Sequence, residues 1–206
     1  ICLLTGDAGV GKTAALHSLC NTLSPHEYQV LYHSDTDFGR TDLYRQLALD
    51  FGLEPANRRA NMWRTLKAHI QMLVQTQHRL PVWIIDEAQN LPLEFFRDFP
   101  SFLNFTFDSK SLMTVWFVGH SGLDRTLKCS AYEALRSRIQ LFVHFEPLTN
   151  SETFKEMLNS VFKAAGVTQT IVSESGIDLI RLASGGKYRI AGKIIQESLQ
   201  IACQQN

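Results

Sequence analysis

No two cysteines in this 206-residue chain have Cys-x-x-Cys spacing. Cys2, Cys20, Cys129 and Cys203 are scattered, which argues against a zinc ribbon or a disulfide framework and leaves packed, reduced thiols as the expectation. His17 and Cys20 have a ligand-like spacing but no second pair, so they read as helix packing. Neither sign of charge is in excess. Lys plus Arg and Asp plus Glu both number 20, and the pI is near 7.2. Overall charge therefore gives no support to nucleic-acid binding, and any such surface has to be a local patch. No apolar run approaches the ~18 residues of a membrane helix, and there is no signal-peptide pattern. Internal repeats and low-complexity tracts are also missing, and a cytoplasmic protein is the expectation. The chain has no initiator Met and opens inside its first predicted strand, so upstream residues are expected.

What is present is enough apolar sequence, 45% of residues, to bury one α/β core with a small appendage. The apolar run Ile1-Cys2-Leu3-Leu4 leads directly into Gly6-Asp7-Ala8-Gly9-Val10-Gly11-Lys12-Thr13, which matches the phosphate-loop pattern GxxxxGK[ST]. A buried strand that ends in a glycine-rich turn, with a helix starting near Lys12, aims backbone N–H groups and a helix N-terminus at one anion. Residues Gly6 to Ala14 are therefore the candidate phosphate cradle. Lys12 can reach the β and γ phosphates, and the Thr13 hydroxyl can ligate Mg²⁺. A chance glycine-rich turn is the simpler alternative.

A second motif argues against chance. Val82-Trp83-Ile84-Ile85 is an apolar, β-branched run of the kind buried on both faces of a parallel sheet, and it ends in Asp86-Glu87. In phosphoryl-transfer enzymes with a phosphate loop, an acid at such a strand tip holds the Mg²⁺ site. Asp86 takes that role here, and Glu87 is placed to orient and polarise the attacking water. The plainer alternative is that both acids terminate a strand and cap the next helix. Two motifs in this order point to a nucleoside triphosphate.

Further strand-like runs fall at 30–33, 112–119 and 141–145. Helix-compatible segments fall between them at 12–23, 41–51, 61–77, 93–105 and 131–138. This alternation predicts an α/β fold with a parallel five-stranded sheet and helices on both faces. Ligands in such folds bind at the carboxyl ends of the strands. After Pro147 the pattern becomes helical only. Thr149 and Glu152 read as a capping box, Gly166 as a helix stop, and further helices are expected over 173–184 and 189–203. The predicted division is a nucleotide-binding core over 1–146 and a helical lid over 147–206.

This arrangement resembles the AAA+ ATPases. Asp86-Glu87-Ala88-Gln89-Asn90-Leu91 resembles the DEAQNL segment of the ExeA family, the ATPases named from the general secretion pathway. Val118-Gly119-His120-Ser121-Gly122-Leu123 is similar to that family's VGQPEL segment. Leu135-Arg136-Ser137-Arg138-Ile139, followed by Phe145-Glu146-Pro147-Leu148, is similar to its LRQRI and PL stretches. The resemblance extends to the MuB and TniB-type ATPases that assist DNA transposition.

The resemblance implies several roles. His120 becomes the sensor that contacts the γ-phosphate or its water, although the family more often has Gln or Asn there; otherwise it is a histidine that ends a strand. Arg138 would be the finger inserted into a neighbouring subunit's site, with Arg136 as fallback, and the alternative is an ordinary surface ion pair. Gly186-Lys187-Tyr188-Arg189 resembles the GxxR of a second sensor, with Arg189 closing onto the nucleotide. The resemblance also implies a homo-oligomeric ring or filament that uses ATP and Mg²⁺, and double-stranded DNA and a transposase as partners. A basic segment, Arg58, Arg59, Arg64 and Lys67, is the candidate DNA surface, though a solvated helix start is the plainer reading. A secretion-pathway ATPase and a low-turnover signalling NTPase are the competing functions. The segment covering the adenine is expected upstream of residue 1.

Overall fold

The computed structural model describes residues 1–34, 39–105, 111–167, 169 and 171–204. The chain divides into two compact units, one of Ile1–Thr5 with Thr13–His144, the other of Gly6–Lys12 with Phe145–Asn206.

The first unit is built on a five-stranded parallel sheet with helices on its faces. Its strands are β1 (Cys2–Gly6), β2 (Tyr28–His33), β3 (Leu80–Ile85), β4 (Thr114–Gly119) and β5 (Leu141–Phe145). Their spatial order is β2-β3-β4-β1-β5. β4 lies between the two motif-bearing strands, with Thr5 opposite Gly119 and Ile85 opposite Phe117. Because the strands run parallel, the carboxyl ends of β1, β3 and β4 share one edge of the sheet. β1 is buried throughout and β3 nearly so, as expected of central strands. β5 is an edge strand, and its Leu141 and Phe142 are half-exposed.

The helices α1 (Lys12–Thr22), α2 (Arg40–Asp50), α3 (Arg59–Thr76) and α4 (Leu93–Phe102) follow the expected alternation. One difference lies at 131–138, where a single helix was predicted. After a helix α5 (Gly122–Leu127), the chain instead forms a 3₁₀ turn at Ser130–Tyr132 and the short helix α6 (Glu133–Arg136). Tyr132 and Leu135 are buried there, so the segment breaks to bring both to the core.

An aromatic cluster fills the core. Trp83 lies 5.9 Å from Phe99, Phe95 stacks on Phe99 at 5.0 Å, and Tyr44 contacts Phe102 at 5.0 Å. A buried polar contact links β2, α2 and β3. The Trp83 indole can only donate, and it does so to His33 Nδ1 at 2.8 Å. That fixes the other ring nitrogen as the N–H that meets Asp50 Oδ2 at 2.5 Å.

The helices of the second unit are α7 (Ser151–Ala164), α8 (Glu174–Ser184) and α9 (Tyr188–Gln204). Phe154, Leu158, Ile177, Ile180 and Ala191 form its small core. The predicted capping box is displaced by one residue. Asn150, not Thr149, is the N-cap of α7, its side chain accepting from Thr153 N at 3.0 Å. An Asx side chain offers the same oxygen geometry as Thr and ranks above it at this position. Ser173 caps α8, and Gly185 closes it in the left-handed conformation. No helix among the described residues is long and apolar enough to cross a membrane.

Candidate functional site: an acidic strand tip and a glycine loop

Asp86 follows β3 directly, and its carboxylate is buried at 3% exposure. Its Oδ2 accepts from Thr13 Oγ1 at 2.9 Å and from Tyr32 Oη at 2.9 Å, while Oδ1 accepts from Glu87 N at 2.8 Å. Three donors around one buried carboxylate offset its desolvation and fix its orientation. Burial, followed by the bond to Asp86 and the charges of Asp86 and Glu87, pushes the Tyr32 hydroxyl well above its ordinary value, so it stays a donor. Sequence reasoning missed Tyr32. Its only signal was a polar aromatic residue one position before the end of the neighbouring strand.

Thr13 and Asp86 supply hydroxyl and carboxylate oxygens, which suit Mg²⁺ rather than a thiophilic metal. Among the described residues no cluster of three or more His, Cys, Asp or Glu could hold a metal on its own. Ala14 is exposed on the first turn of α1.

Glu87 is exposed and sits in the left-handed region at φ 51°, ψ 34°, where a non-glycine residue is strained. A 3₁₀ turn over Ala88–Asn90 follows. Gln89 Nε2 donates to Glu87 Oε2 at 2.5 Å, and Gln89 Oε1 accepts from His120 N at 3.1 Å. The His120 ring turns back on its own loop, Nδ1 accepting from Gly122 N at 2.9 Å. That bond assigns the proton to Nε2 and leaves it available to an acceptor such as a phosphate oxygen.

The arginines proposed for work in trans lie further along the same unit. Arg138 is half-buried, and its Nη1 donates to Ala134 O at 2.8 Å. Arg136 meets Asp124 at 3.4 Å and lies 5.3 Å over the Phe142 ring. Asp124 also accepts from Lys128, and these two bonds hold its carboxyl below the usual range.

The basic segment at α3 divides. Arg59 bonds Asp98, which also takes Arg40 at 2.6 Å, and its guanidinium lies 5.0 Å over Trp63. Lys67 donates to the Ser101 and Asn104 carbonyls at 3.0 and 2.9 Å, neutralising the carboxyl end of α4, and burial lowers its pKa. Arg58 and Arg64 are exposed. Trp63 is partly buried and packs against the hydrophobic core, on the same helix as the buried Leu66 and Ile70.

In the second unit, Lys12 is 9% exposed and its Nζ donates to the Gly6 and Asp7 carbonyls at 2.8 and 2.9 Å. Gly9 and Gly11 have φ of 81° and 92°, conformations that a side chain would strain. They also make room. A Cβ on Gly9 would come within 3.0 Å of Arg189 Cβ, and one on Gly11 within 3.1 Å of the Tyr188 ring. The Arg189 backbone N–H donates to Gly9 O at 3.2 Å, so the loop and the start of α9 are directly linked. Lys187 of the same segment pairs with Asp7 at 3.2 Å. Asp7 and Ala8 are exposed, while Val10 is buried as an anchor.

The AAA domain family matches over residues 1–127, more than half of the chain. The chain belongs to the AAA domain family. Solved structures place this AAA domain with larger proteins of the same fold. Cdc6p from Pyrobaculum aerophilum matches with a TM-score of 0.72 and 19% identity, over 99% of this chain and 56% of that one. The ORC1 protein of Aeropyrum pernix, solved in complex with DNA, matches with a TM-score of 0.68 and 15% identity, over 100% and 55%. The ADP form of the Aeropyrum pernix ORC2 protein gives 0.68 and 14%, over 99% and 57%. This AAA domain thus spans a little over half the length of those chains, and at such identities the likeness is one of fold. No curated protein matches the sequence.

Proposed function

We propose that this AAA domain is a Mg²⁺-dependent ATPase that works as a nucleotide-controlled switch. The observation that carries the proposal is the buried Asp86 carboxylate holding the Thr13 hydroxyl, with the exposed Glu87 next to it. In this reading the backbone of Gly6–Thr13 and the Lys12 ammonium take the phosphates, Thr13 and Asp86 hold the cation, and Glu87 orients the water. A cation held there would neutralise the charge that builds up on the phosphate during transfer. His120 Nε2 and Arg189 are the sensing groups, and Arg138 of a neighbouring copy completes each site in a homo-oligomer. The ADP-bound ORC2 protein of the same fold supports nucleotide as the ligand.

For the biological role we favour a DNA-associated helper ATPase of the MuB or TniB type, acting with a transposase. Its support is the resemblance in the three quoted motifs, together with the DNA complex of the ORC1 protein. Arg58 and Arg64 are the exposed cations through which DNA phosphates would be met, whereas Arg59 and Lys67 are committed within the fold. The secretion-pathway reading rests on the same three motifs, which resemble the ExeA family.

The decisive experiment is nucleotide binding and turnover by wild type, Lys12→Ala and Glu87→Gln. Loss of binding in the first and retained binding with turnover lower by about 10²-fold or more in the second support the site. Unchanged affinity in Lys12→Ala sinks it. ATP-dependent binding of duplex DNA that weakens steeply with salt supports the DNA role; no binding at low salt favours the secretion or low-turnover scaffold reading.

A further inference from the structure

We propose that Gln89 is a positioning residue that clamps the Glu87 carboxylate to the tip of β4. The inference rests on the hydrolytic reading of the same site and assigns it a residue to which no motif role had been given.

The amide of Gln89 is fully determined by its partners. The His120 backbone N–H can only donate, so the atom facing it at 3.1 Å is the amide oxygen. The amide nitrogen is then directed to Glu87 Oε2, at 2.5 Å, where a carboxylate can only accept. Reversing the amide would break both bonds, so one orientation holds the side chain and its two neighbours together.

A second observation shows that the fold leaves space for this bridge. Gly119 is the last residue of β4, and its backbone is not in the left-handed region that favours glycine. A Cβ there would collide with Gln89 Oε1 and come within 3.0 Å of Leu123 Cδ2. The glycine is required by the neighbouring amide rather than by its own dihedrals.

The consequence is local and chemical. Glu87 is exposed, and an exposed glutamate samples several rotamers. A charge-assisted bond to one carboxylate oxygen selects a single pose, from which the carboxylate orients the water. Because the same amide holds the His120 N–H, a displacement of the β4 tip by the γ-phosphate is passed directly to Glu87. Misplacing a catalytic group by about 1 Å costs on the order of 10²-fold in rate, so the clamp acts on turnover rather than on binding.

Gln89→Glu is the sharpest test, since it keeps the shape and the acceptor for His120 N–H but removes the donor to Glu87. The expected result is a kcat at least about tenfold lower, with nucleotide affinity and melting temperature unchanged. Gly119→Ala, which fills the amide's space, is expected to lower kcat similarly. Its effect should largely vanish in a Gln89→Ala background, because the clashing oxygen is gone. Wild-type kcat in Gln89→Glu, or additive effects of Gly119→Ala and Gln89→Ala, overturns the clamp while leaving the ATPase reading intact. A wild-type protein that binds nucleotide but never turns it over overturns the hydrolytic reading and the clamp with it.

Discussion

The two units differ in how much of their apolar surface they bury by themselves. In the first, Trp83, Phe95, Phe96, Phe99, Phe102 and Phe117 are all at 1% exposure or less and form one contiguous aromatic cluster. In the second, the fully packed set is Phe154, Leu158, Ile177, Ile180 and Ala191, while Leu179 and Leu182 of α8 remain 67% and 66% exposed. A dense aromatic core resists local opening, whereas a few buried side chains between three helices set a low free energy for it. The strand tips are therefore carried on the more rigid body, and the glycine loop groups with the less densely packed one.

Four measurements break or sharpen this comparison. Phe99→Ala is expected to have the largest effect, a loss of about 3–5 kcal/mol, read as a fall in melting temperature of the whole chain. Phe154→Ala removes a side chain of the same size, but amide exchange should accelerate over α7, α8 and α9 while the central strands stay protected. Uniform acceleration in both variants would show one cooperative unit and end the distinction. Asn150→Ala should cost about 1 kcal/mol of helical-unit stability through the lost cap of α7, also visible by exchange.

The smallest effect concerns pH. Burial beside Phe51, with ring centroids 4.9 Å apart, lowers the pKa of His69 below its ordinary 6.5. The unfolded chain then binds the proton more readily. The contribution is fully present above 6.5 and declines as pH falls through that value towards the lower folded one. Thermal melts of His69→Gln between pH 7 and 5 should show a shallower loss than wild type, and equal slopes would remove His69 from the account.

Much of the fold was legible because its signals are contiguous. The run Val82–Ile85 and the opening strand identify themselves by unbroken apolar, β-branched residues, and the spacing of helices between strands implies a parallel sheet. The break of 131–138 into a 3₁₀ turn and a short helix was not legible, because it depends on where Tyr132 and Leu135 find the core. The capping residue of α7 was displaced for a similar reason. Thr149 and Asn150 are both competent caps, and only the backbone path selects Asn150. In the basic segment four cations looked equivalent, yet Asp98 and the carboxyl end of α4 take up Arg59 and Lys67.

By itself the sequence determined the phosphate loop, the acidic strand tip and the α/β alternation, since each is written in neighbouring residues whose local geometry follows from their types. Only the tertiary structure decided that Tyr32 serves Asp86, that Tyr188 and Arg189 lie against the loop glycines, and that Gln89 joins Glu87 to the end of β4. Those contacts join separate strands, helices and turns, and their partners are chosen by strand order and packing, which no local pattern encodes.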